Sequence, residues 1–129
     1  MTTGEERARR LLGPLEARIM QTAWSGRISD RFTVREMQQT MPKLAYTTVM
    51  TTLSRLASKE LLKVETDGSS KAFVYTVGMT PVEFIAMISR HEVEKFVERY
   101  GDTGLAAFAA RLDKLSPGRR ERLRKLGGR

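Results

Sequence analysis

Between Tyr46 and Ala57 the chain carries Tyr46, Thr47, Thr48, Met50, Thr51, Ser54 and Arg55 and no Asp or Glu. Hydroxyls can donate or accept at base edges and phosphates, while methyl groups meet thymine, so a helix face of this kind suits the major groove of DNA. Four threonines stand here, at 47, 48, 51 and 52, although threonine is a mediocre helix former. Something other than helix propensity is being served. The alternative is that these threonines pack against neighbouring helices, and the segment alone does not choose between the two.

Catalytic chemistry has much less to work with. The chain has no cysteine, hence no disulfide framework, no thiolate zinc site and no thiol nucleophile. Its single histidine, His91, lies in the charged run Arg90-His91-Glu92-Val93-Glu94 and reads as a solvent-facing helical residue. Alone it builds neither a dyad nor a multi-histidine metal site. There is no nucleophile elbow and no glycine-rich phosphate loop. Neither an enzyme nor a cofactor is expected.

The face at 46–57 must be positioned by its surroundings. Ala45, Val49, Leu53, Leu56 and Ala57 give a helix over about 46–59 an apolar side. Upstream, Leu11, Leu12, Leu15, Ile19, Met20, Ala23 and Trp24 recur at three- and four-residue steps, marking a helix that begins near Pro14 and ends in the polar stretch from Ser25 to Asp30. Thr33-Val34-Arg35-Glu36 is a capping box for a second, short helix with Val34, Met37 and Met41 on its apolar edge, stopped by Pro42. Downstream, 61–66 and 72–77 read as strands joined at Asp67-Gly68, a hairpin turn signal, with Ser69, Ser70 and Lys71 in the loop. Three helices and a hairpin with a basic tip are the order of a winged helix-turn-helix, in which the third helix enters the groove and the hairpin touches the backbone.

Thr80-Pro81-Val82-Glu83 is a second capping box, opening a long helix that runs towards Tyr100. Val82, Ile85 and Ile88, with Phe84 beside them, then Phe96, Val97 and Tyr100, form an apolar stripe; Gly101-Asp102-Thr103-Gly104 breaks the helix. Leu105, Phe108 and Leu112 continue in a short helix, and Ser116-Pro117 opens a last one bearing Leu123 and Leu126. Segments of this length make no good core alone, so burial against a second copy of the chain is the economical expectation, the alternative being that they fold back onto the first domain. The expected pairing residues are Ile85, Ile88, Phe96, Val97, Tyr100, Leu105, Phe108, Leu112 and Leu123.

The fold class is therefore mostly α: a tail over 1–10, a winged helix-turn-helix DNA-binding domain over 11–78, and a helical dimerisation segment over 79–129. A chain of 129 residues, 40% hydrophobic, suits one modest core with a helical appendage. Lys and Arg number 23 against 15 Asp and Glu, a formal charge of +8, which raises encounter rates with polyanions. The excess is spread over both sides of Thr80. The densest run, Arg119 to Lys125, reads as a solvated helix face, the alternative being a contact with DNA or a membrane surface. The charged N-terminus reads as a short tail rather than a signal peptide, and no segment reaches the ~20 apolar residues of a membrane span, so no membrane insertion is expected and the cytoplasm is the expected location.

These stretches resemble the penicillinase repressor family, of the BlaI and MecI type. The resemblance rests on Leu12-Gly13-Pro14-Leu15-Glu16 with Ile19-Met20 and Trp24, on Thr33-Val34-Arg35-Glu36, on the long run from Leu44 through Ala45-Tyr46-Thr47-Thr48-Val49-Met50-Thr51-Thr52-Leu53 to Leu56, then on Lys59, Leu61-Leu62 and Lys71-Ala72-Phe73-Val74-Tyr75. It covers residues 12 to 77 and is much weaker beyond Thr80. It implies a homodimer on a roughly palindromic DNA operator that blocks transcription, often of resistance genes. It implies base contacts from Thr47, Met50 and Thr51, and backbone contacts from Tyr46, Thr48, Arg55 and the wing residue Lys71. Arg35, in the second helix, is a further expected phosphate contact. The resemblance also implies a membrane sensor protease as a partner, cutting an Asn-Phe bond in the dimerisation segment. Phe108-Ala109 stands there instead, so poor cleavage at that bond is expected. Copper-responsive relatives carry a cysteine cluster, which this chain lacks. The competing expectation is a winged-helix module that mediates protein contacts without reading DNA; an acid-free third helix on a basic chain opposes it.

Overall fold

The computed structural model describes residues 3–66 and 72–127. The expected turn at Asp67-Gly68 and the wing residues Ser69, Ser70 and Lys71 lie outside the described residues. The chain divides into two compact units, one ending at Met87 and one beginning at Ile88.

The first unit opens with a helix where a tail was expected. Helix α1 (Gly4–Arg10) starts at Thr3, whose side chain accepts from the Glu6 amide, and buries Ala8 completely. Its charges suit the helix dipole, with Glu5 and Glu6 in the first turn and Arg7, Arg9 and Arg10 in the last. It packs on α2 (Pro14–Trp24). Pro14 at the first helical position costs α2 no hydrogen bond, and Ile19 and Met20 turn inward. Leu11, expected on the apolar face of this helix, instead caps the C-terminus of α1 and is half exposed.

Helix α3 (Val34–Thr40) begins at the expected capping box: Thr33 Oγ1 accepts from the Glu36 amide at 3.2 Å and Glu36 Oε1 accepts from the Thr33 amide at 3.0 Å. The turn to α4 (Tyr46–Ser58) is tied by Gln38 Nε2, which donates to the Leu44 carbonyl at 3.1 Å. Strands β1 (Leu62–Thr66) and β2 (Phe73–Val77) pair antiparallel, Leu62 opposite Val77 and Thr66 opposite Phe73. Phe32 joins the same sheet by exchanging two backbone hydrogen bonds with Tyr75, at 3.0 and 2.7 Å, and the two rings stack 6.0 Å apart. This bridge sews the hairpin to the entry of α3.

Ile19, Met20, Phe32, Met37, Val49, Leu53, Leu56, Leu61 and Leu62 are all at most 1% exposed and form one core between the helices and the hairpin. Each such side chain contributes about 1.5–3 kcal/mol of burial. Trp24 Nε1 donates to the Met79 carbonyl at 2.9 Å, fastening the end of α2 to the segment that leads into α5. Helix α5 (Pro81–Asp113) begins at the expected Thr80–Glu83 box. The first unit reaches past residue 78 because this opening turn belongs to it: Phe84 is 2% exposed, and a Cβ on Gly4 would lie 3.6 Å from Val82. Three helices and a hairpin in this order form a winged helix-turn-helix within a mostly α chain.

The second unit contains the rest of α5 and α6 (Pro117–Leu126). Gly101, at φ 60° and ψ −149°, interrupts α5; that left-handed backbone favours glycine. Gly104 is not part of the break. It is helical and buried, and a Cβ there would lie 2.6 Å from Tyr100 Cβ and 2.7 Å from Phe96 Cε1. Phe96 meets Tyr100 on its own side of the break and Phe108 across it, each with ring centroids 4.8 Å away. Ser116 caps α6 by accepting from the Arg119 amide at 3.3 Å, and Arg120 donates to the carbonyls of Asp113, the last residue of α5, and of Leu115 just beyond it. Among the described residues from Ile88 onward only Gly104 is buried.

Candidate nucleic-acid interface

Helix α4 shows two faces. Val49, Thr52, Leu53 and Leu56 are buried; Tyr46, Thr47, Met50, Thr51, Ser54 and Arg55 are exposed and Thr48 is half-buried. The threonines therefore divide between the two expected roles. Thr52, 4% exposed, returns its hydroxyl to the Thr48 carbonyl at 2.8 Å and packs inward. Thr47 and Thr51 face outward. Ala45, expected on the buried side, is exposed and forms the N-cap with no side-chain hydrogen bond, and the first turn of α4 contains no acid. A helix start left uncapped and unopposed by carboxylates keeps its positive end available to an anion.

Beside this face run two shallow concavities that share Arg55. One, of about 300 Å³, is lined by Leu15, Thr47, Thr48, Thr51, Thr52 and Arg55. The other, of about 420 Å³, is lined by Gly13, Pro14, Leu15, Glu16, Thr52, Arg55 and Lys59. The start of α2 thus forms one wall and α4 the other. Arg55 carries no ion pair among the described residues, which leaves its guanidinium available to a phosphate.

Arg35 is the second residue of α3 and is exposed. Lys71 lies outside the described residues. Tyr46 and the wing strand meet electrostatically: burial first, and the Tyr46 hydroxyl second, push the Tyr75 phenol above its ordinary value. Arg31 reaches Glu65 of β1 at 3.4 Å, an exposed pair worth at most about 1 kcal/mol. Glu16 and Lys59, to which sequence reasoning assigns no role, pair at 2.9 Å across the second concavity. They stand 43 positions apart in the chain, so no local signal marks the pair.

Of the expected pairing residues, Ile85 falls in the first unit. Ile85, Ile88, Phe96 and Val97 are half-buried, whereas Tyr100, Leu105, Phe108, Leu112 and Leu123 are exposed, Tyr100 at 52% and Phe108 at 47%.

The winged helix-turn-helix thus presents an uncapped, acid-free helix on its outer side. The sequence profile of the penicillinase repressors matches residues 12–127, and the chain belongs to that family. The match extends through the C-terminal helices, beyond the stretch over which individual motifs are readable. No curated protein sequence matches the chain. No helix among the described residues is long and apolar enough to cross a membrane.

Proposed function

We propose that this chain is a dimeric, sequence-specific DNA-binding repressor that occupies a roughly palindromic operator in the cytoplasm, and that it resembles regulators of beta-lactam resistance genes. The observation that carries the reading is the outward face of α4, where Tyr46, Thr47, Met50, Thr51 and Arg55 stand exposed with no carboxylate among them. Thr47, Met50 and Thr51 act at base edges; Tyr46, Thr48, Arg55, Arg35 and Lys71 act on the backbone.

Dimerisation is part of the same reading. The second unit exposes Tyr100, Leu105, Phe108, Leu112 and Leu123, and a two-fold pairing of this face covers it while presenting two copies of α4 to an inverted repeat. Under this reading a sensor protease of the family type cuts this chain poorly at Phe108-Ala109 or cuts it elsewhere.

Selection of bound duplexes from a randomised DNA pool tests this directly. The expected result is enrichment of an inverted repeat with half-sites about one helical turn apart. A pool that stays random after several rounds, with weak and salt-sensitive binding throughout, would contradict sequence-specific reading and favour the protein-contact module.

A further inference from the structure

Glu16 joins two points far apart in the sequence. Its Oε1 accepts from the Gly13 backbone N–H at 3.3 Å and from Lys59 Nζ at 2.9 Å. The partners are unequally placed, the Glu16 side chain being 11% exposed and that of Lys59 49%. The carboxylate is thus fixed against the start of α2, while the lysine comes to it from the solvent side. Lys59 caps the C-terminus of α4 four residues after Arg55, one turn along the same face. Both cations line the same concavity, yet Arg55 is unpaired among the described residues and Lys59 is neutralised.

We infer that Glu16 masks the charge of Lys59, keeping its ammonium off the DNA backbone and leaving Arg55 as the phosphate contact of this groove. The inference rests on the proposed reading of DNA by α4. Each cation that neutralises a phosphate strengthens binding to every sequence by the same factor, through release of counterions. A lysine bonded to a near-buried carboxylate adds little to that release, because a phosphate would have to displace the carboxylate and endure its repulsion. Glu16 is therefore a positioning residue for specificity: it lowers the affinity common to all sequences and leaves the base contacts of α4 untouched.

The test uses the full chain and a fluorescent duplex of mixed sequence, titrated at several salt concentrations. Glu16→Gln keeps the shape and the acceptor for Gly13 but removes the charge. It should steepen the slope of log affinity against log salt by about 0.9 for each lysine released and tighten binding at low salt. Lys59→Met should leave the wild-type slope unchanged, and the double variant should return to it. A merely structural pair would lower the melting temperature and the affinity without steepening the slope. The mask is overturned if Glu16→Gln leaves the slope unchanged or shallower, or if Lys59→Met flattens it as much as Arg55→Met does. The comparison of Lys59→Met with Arg55→Met decides the matter even if Glu16→Gln does not fold. Failure of the wild-type chain to bind any duplex would remove the DNA reading itself, and the mask with it; binding with slopes that do not follow this pattern removes the mask alone.

Discussion

The two units solve the problem of burial differently. The first builds a closed core, with Ile19, Met20, Met37, Val49, Leu53 and Leu56 at most 1% exposed, and leaves other apolar residues such as Leu11, Val64 and Phe73 on its surface. The second turns Tyr100, Leu105, Phe108 and Leu112 outward and buries only Gly104 among its described residues. A unit of the first kind holds its shape by itself. One of the second kind leaves its apolar side chains in water with no core behind them, which suits a surface made for another protein surface. The contrast divides the proposed labour: one unit supplies a rigid reading helix, the other the means of bringing two such helices together.

The sharpest way to break this comparison is to injure each unit where its own logic is strongest. Leu53→Ala opens a cavity in the closed core and should cost about 2–5 kcal/mol, lowering the melting temperature equally at all protein concentrations. Phe108→Glu places a charge on the open face. It should weaken self-association by about a hundredfold or more, because a carboxylate would be buried without a partner, while leaving the first unit folded. Sedimentation and thermal melting across a concentration series separate the two. If Phe108→Glu sediments as the wild type does, the exposed face is not the pairing face.

A smaller effect sharpens the description of the second unit. Gly104→Ala puts a methyl group 2.6 Å from Tyr100 Cβ and 2.7 Å from Phe96 Cε1, an overpacking that should cost about 1–3 kcal/mol. Calorimetric melting checks it, and a neutral outcome would mean that the aromatic cluster yields without cost.

How much of the molecule is legible in its sequence follows the range of the interactions involved. The boxes at Thr33–Glu36 and Thr80–Glu83 are readable because each is closed within four residues by two hydrogen bonds. The outward face of α4 is readable because its lack of acids is a property of one short run. Thr3 and Glu6 close a related local cap, but the charges around them suggest a tail. Thr52 cannot be told from Thr47 or Thr51 by residue type; its burial depends on which side of α4 meets the core. Gly101 and Gly104 look alike as breakers, and only the backbone angle of one and the ring of Phe96 against the other distinguish them. The pair of Glu16 and Lys59 exists only once α2 and α4 are packed.

The central claim is that α4 reads sequence while the cations around it supply affinity. The most direct measurement is an anisotropy titration of Thr51→Ala and Arg55→Ala against the selected duplex and a scrambled one, over a range of salt. Thr51→Ala should weaken binding by about 1–3 kcal/mol on the selected duplex alone and relax preference at one symmetric base position. Arg55→Ala should weaken both duplexes alike and lower the salt slope by about one for each phosphate that the arginine of each subunit no longer neutralises. Full discrimination retained by Thr51→Ala, with discrimination abolished in Arg55→Ala, would contradict the account.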